Sequence, residues 1–130
     1  LPFFVRVQKL NEMINPKELR LDNEVLYDDC YCTVVEIFKD KVGLAGSGKC
    51  VDIKDINGIP LTEEIMKRMD CAEAGNGWFG FSLEGFDFSL GNQGFTDDNG
   101  FRYNDVAITQ LHQFQNFYFA KTGKELEIKL

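Results

Sequence analysis

Between Phe79 and Leu90 the chain alternates with a period of two. Phe79, Phe81 and Leu83 fall on one side, with Gly80 and Ser82 opposite, and Phe86, Phe88 and Leu90 repeat this with Asp87 and Ser89 opposite. After the polar stretch from Gly91 to Gly100, Phe101 and Tyr103, then Val106 and Ile108, continue the pattern. One apolar face and one polar face predict an antiparallel sheet covered on one side. The cover is the end of the chain. Leu111, Phe114, Phe117 and Tyr118 form an i, i+3, i+4 stripe that predicts a helix over about 110–121. Thr109 is expected to cap its start and Gly123 to end it in a left-handed turn, with Leu126 and Ile128 packing as a tail.

The first half reads as short strands. Glu24 to Tyr27, Tyr31 to Phe38, Lys41 to Ala45 and Lys49 to Ile53 are rich in β-branched and aromatic residues, and turns at Asp28-Asp29 and Lys39-Asp40 and a loop at Gly46-Ser-Gly48 separate them. Strands this short and close predict a small curved sheet, an SH3-like partial barrel. After Asn57-Gly58 and Pro60, Thr62 is expected to cap a short helix over about 62–70 with Ile65, Met66 and Met69 on its apolar face. Residues 72–77 read as a loop. The expected class is α+β: a curved N-terminal sheet, a short helix, and an antiparallel meander covered by a C-terminal helix, in a single domain over residues 13–130. Phe79, Phe81, Phe86, Phe88, Tyr103, Val106, Leu111, Phe114 and Tyr118 are expected to be buried together.

Composition narrows the partners. A formal charge of −7 over 130 residues repels phosphate backbones, which argues against nonspecific nucleic-acid binding and leaves another protein or a small ligand. No apolar run approaches the roughly 18 residues a membrane helix needs. Cys30, Cys32, Cys50 and Cys71 include no Cys-x-x-Cys pair, and the only histidine, His112, is remote in sequence, so no metal or cofactor is expected. Thiols of this kind suit a reducing cytoplasm.

Three motifs carry chemistry only on first sight. The stretch from Gly43 to Cys50, GLAGSGKC, matches the glycines and lysine of a phosphate-binding loop at Gly43, Gly48 and Lys49. Cys50 stands where a hydroxyl should hold Mg²⁺, and a strand, not a long helix, is expected to follow. Asp97-Asp98-Asn99-Gly100 lacks the spacing and final glutamate of a calcium loop. His112 is the only residue for histidine-based general-base chemistry, and a position in the first turn of a helix disfavours its charged form. With Gln113, Gln115 and Asn116 it forms a polar group with two readings: hydrogen-bonding partners for the sheet edge, or a recognition surface.

The chain resembles a family of small proteins of unassigned activity carried by bacterial phages, prophages and mobile elements. The resemblance rests on the segment Leu19-Arg20-Leu21-Asp22-Asn23-Glu24-Val25 and on the terminal helix, where His112, Gln113, Gln115, Asn116, Tyr118, Phe119, Ala120, Thr122, Gly123, Glu125 and Leu126 match. Phe114, Phe117 and Lys121 depart from the usual aliphatic residues. The likeness covers about residues 13–128 and is strongest over 15–25, 59–64 and 108–128. It implies a non-enzymatic accessory protein of the bacterial host cytoplasm that binds a protein or ligand, with antagonism of host defence as one role. A nucleotide-binding enzyme and a minor virion protein are the alternatives. Residues 1–12 precede the family's usual start and are expected to be a disordered extension.

Overall fold

The computed structural model describes residues 14–46, 50–75, 78–83, 86–92, 101–103 and 106–130. The extension at 1–12, Gly48 and Lys49, the stretch 97–100, and the side chains of Phe86, Phe88, Tyr103 and Val106 lie outside what is described. The chain is α+β and divides into two compact units, up to Ile59 and from Pro60 onward.

The first unit is an antiparallel sheet in the order β1 (Glu24–Tyr27), β2 (Cys30–Ile37), β3 (Lys41–Leu44), β4 (Cys50–Asp52). Among the described strands β1 and β4 do not pair, so the sheet is open. The hairpin between β1 and β2 turns on Asp28 and Asp29 at φ 52° and 61°. Two successive positive φ angles match the right-handed twist of the strands, and aspartate tolerates them at modest cost. A bulge lies between Val34 and Glu36 of β2: Val34 opposes Leu44, and the next pairs are Glu36 with Gly43 and Ile37 with Val42. The core of the unit is Ile14, Val25, Val34, Val42, Leu44, Val51, Ile53 and Ile56, with Leu19, Tyr27 and Cys32 packed against it.

The segment before β1 is fixed by a buried asparagine. Asn23 is fully buried, its Oδ1 accepts from the Arg20 N–H at 2.7 Å, and its carbonyl accepts from the Val34 N–H at 2.9 Å. The adjacent Asp22 takes φ 72°. Asparagine therefore closes the turn that delivers the chain into β1, a structural task.

The second unit opens with helix α1 (Glu63–Met66), capped by Thr62, whose hydroxyl accepts from the Ile65 N–H at 3.2 Å. The helix is shorter than its sequence suggests, because turns at Lys67 and Arg68 lead directly to Met69. Ile65, Met66 and Met69 are all buried, as their spacing requires. A five-stranded antiparallel meander follows: β5 (Ala72–Gly75), β6 (Trp78–Leu83), β7 (Phe86–Asn92), β8 (Phe101–Tyr103) and β9 (Val106–Ile108). β5 corrects the loop expected at 72–77. Its small, weakly β-forming residues carry no strand signal, and the pairing of Ala72 with Gly80 and Glu73 with Phe79 holds it at the sheet edge.

Phe79, Phe81 and Leu90 are buried, while Ser82, Asp87 and Ser89 are exposed, so the alternation does mark the two faces. Helix α2 (Leu111–Thr122) covers the apolar face. Phe114 meets the Phe81 ring edge-on at 5.1 Å between centroids, and Tyr118 meets the same ring at 6.2 Å. Gly123 ends the helix at φ 73°, donating its N–H to the Phe119 carbonyl at 2.8 Å. Leu126 is buried, and Ile128 bridges to Met69.

Candidate functional site

The polar group on the last helix is placed mainly by folding chemistry. The N-cap is Gln110, not Thr109, so His112 stands at the second helical position and Gln113 at the third. Gln113 Oε1 accepts from the backbone N–H of Gln110 at 3.1 Å and of Thr109 at 3.0 Å, and from the Thr109 hydroxyl at 3.2 Å. This is the glutamine half of a capping box, in which a side chain reaches back to amides the helix leaves unsatisfied. His112 is 0% exposed and Gln115 5%. Neither can touch a partner unless the helix lifts from its surroundings. Asn116 is half-buried. At the other end Thr122 donates its hydroxyl to the Tyr118 carbonyl at 2.9 Å and accepts from the Lys124 N–H at 3.2 Å. The motif positions Gln113, Thr122 and Gly123 thus set the ends of one helix.

The glycine-rich stretch is divided. Gly43 is a buried, paired residue of β3, opposite Glu36 on one side and Cys50 on the other. A Cβ at Gly43 would stand 3.0 Å from Glu36 Oε1, so the cross-strand side chain explains this glycine. Cys50 begins β4, and the chain then enters a single 3-10 turn at Ile53–Asp55. A phosphate loop needs a helix N-terminus after its lysine; a strand occupies that place.

The cysteines are dispersed. Cys30 and Cys50 are exposed, and Cys32 and Cys71 are half-buried. Burial, then the neighbouring Cys30 and Glu24, pushes the Cys32 thiol above its ordinary value, which makes it a poor nucleophile at neutral pH. Among the described residues no three His, Cys, Asp or Glu side chains converge on a point that could hold a metal.

Sequence reasoning missed a surface on the first unit. Tyr31, Val35, Ile37 and Phe38 are each 40–49% exposed along β2 and the turn after it. The row spans about 23 Å of extended chain. Tyr31 and Val35 stand on the face opposite the fully buried Val34, as a period of two requires, while the bulge carries Ile37 opposite the buried Val42 at the end of the strand. A signal was present. Val34-Val35-Glu36-Ile37-Phe38 does not alternate, although a strand in an open sheet with one wet face should. No helix among the described residues is long and apolar enough to cross a membrane.

No protein-family model matches the chain, and neither a curated protein nor a solved structure shows significant similarity to it.

Proposed function

We propose that this protein is a non-enzymatic accessory module of phage or mobile-element origin, working in the bacterial host cytoplasm by binding another protein through the apolar row on β2. The observation that carries the reading is the exposure of Tyr31 and Val35 on β2, with Ile37 and Phe38 exposed where the strand ends, in a chain with net charge −7. Scattered exposed apolar residues are ordinary, but four of them between Tyr31 and Phe38 support reading this stretch as a contact surface. The open four-stranded meander, bent by the bulge in β2, supports reading this unit as an SH3-like partial barrel. Antagonism of a host defence protein fits the same chemistry: a tight, stoichiometric complex with no turnover.

The test compares the wild-type chain with a Tyr31→Ser, Val35→Ser, Phe38→Ser variant as bait in extracts of phage-infected cells. The expected result is a partner captured in saturable, stoichiometric amount by the wild type and lost by the variant, with unchanged melting temperature. Equal capture by both refutes the surface. ATP hydrolysis that persists through repurification and disappears in Lys49→Ala refutes the non-enzyme reading. Copurification with virions at fixed stoichiometry favours a structural protein.

A further inference from the structure

A second feature of the first unit begins where the β2 row ends, at Lys39. It is a cleft of about 390 Å³, inside the range of about 300–1,000 Å³ typical of small-molecule sites. Its floor is apolar. Ile14 and Ile53 belong to the core of the unit, and Pro16 lies beside them.

Its rim is charged and held by main-chain bonds. Lys39 and Asp40 form the turn between β2 and β3, closed by the Phe38 N–H donating to the Lys41 carbonyl at 2.8 Å. The Ile53 N–H donates to the Asp40 carbonyl at 3.0 Å, tying this turn to the one that carries Asp52 and Lys54. The two turns are therefore fixed before any ligand arrives, which lowers the ordering cost of binding. Asp52 pairs with Lys41 at 3.5 Å, a solvent-exposed ion pair whose lysine does not line the cleft. Among the described residues no ion pair engages Lys39, Lys54 or Asp40. Two lysines and Asp40, without ion pairs among the described residues, and the weakly paired Asp52 thus line an aliphatic floor.

We propose that this cleft binds a small zwitterion with an apolar body, of the size of a short aliphatic peptide. Its carboxylate is held by Lys39 and Lys54, the two lysines that line the cleft. Its ammonium meets Asp40, and its side chains cover Ile14, Pro16 and Ile53. Asp40 gives the selectivity, because it repels a plain anion and rewards one that also carries a cationic donor. Lysines act as compact point charges and not as a fixed fork, so the site recognises charge placement more than a particular anion geometry.

Leucyl-leucine is the probe, with hexanoate as the anion-only control, each titrated into the full chain while backbone amide shifts are followed. The expected result is saturable shifts centred on residues 39–40 and 52–54, with hexanoate weaker by about tenfold or more. Lys39→Ala with Lys54→Ala should weaken the dipeptide by at least the same factor. Asp40→Asn, the second variant, should weaken the dipeptide and strengthen hexanoate, a reversal that a loss of fold does not produce. Absent or unsaturable shifts, shifts spread over the whole chain, equal response to the two probes, or dipeptide binding unchanged in both variants overturn the proposal. Phe38 adjoins Lys39, so a Tyr31→Ser, Val35→Ser variant, which leaves the turn at 38–41 untouched, is the one that separates a failure of the β2 row from a failure of the cleft.

Discussion

Truncating Phe114 to alanine tests the packing of the second unit most directly. Phe114 is fully buried, and its ring meets Phe81 at 5.1 Å, Tyr118 at 6.2 Å and Phe117 at 6.4 Å. Removing a buried phenyl ring loses its transfer free energy and leaves a cavity, together about 3–5 kcal/mol. Two of the ring pairs are edge-on, a geometry worth about 0.5–1.5 kcal/mol each beyond area. A loss near the upper end of the range is therefore expected, a large share of the ~5–15 kcal/mol that holds a domain together. Trp78, the only tryptophan, lies in β6 of the sheet that carries Phe81, so its emission reports on this unit during a denaturant titration. Phe119, 40% exposed on the same helix, supplies the control, and Phe119→Ala should stay within ~0.5 kcal/mol. A loss below ~1 kcal/mol for Phe114→Ala, or equal losses for the two variants, refutes the assignment of the helix face.

Three further outcomes are expected. Gln113→Ala removes the acceptor that holds the Thr109 and Gln110 amides and should cost ~1 kcal/mol in a denaturant melt, with Gln113→Glu restoring most of it because an anion also suits the helix start. Gly91→Ala would place a Cβ 2.5 Å from Trp78 Cη2, so the half-exposed indole should swing outward, seen as red-shifted emission with a modest loss of about 1 kcal/mol. Burial, then Asp70 and Glu127, raises the Tyr118 pKa above the ordinary tyrosine value, against a smaller opposing effect of Lys124. The folded state then holds this proton more tightly than the unfolded chain, so the contribution is complete below the unfolded value and is lost as pH rises through the folded one. Alkaline melts of Tyr118→Phe should show a shallower decline above pH ~10 than the wild type.

Wherever chemistry is local, the sequence determined the structure. The alternation from Phe79 to Leu90 marked the faces of β6 and β7, because side chains on a strand alternate by geometry and only one face meets the core. Thr62 and Gly123 ended helices where their types suggest, because a hydroxyl acceptor and a left-handed backbone are properties of single residues. What depends on partners distant in the chain was decided by the tertiary structure. Ala72–Gly75 is a strand because β6 offers it a ladder, against its own weak propensity. The cap of α2 fell on Gln110 and the bond went to Gln113, since the bridge of Gln110 to Pro60 and the Leu61 N–H bond to the Thr109 carbonyl fix where the helix can begin. His112 and Gln115, polar by type, went inside because the stripe that places Leu111 and Phe114 against the sheet carries their neighbours with it. The surfaces that carry the functional proposals were hidden for the same reason. Which face of β2 meets the core was set by its pairing with β1 and β3, and the cleft joins two turns more than ten residues apart, so pairing register and closure, rather than residue type, brought them into being.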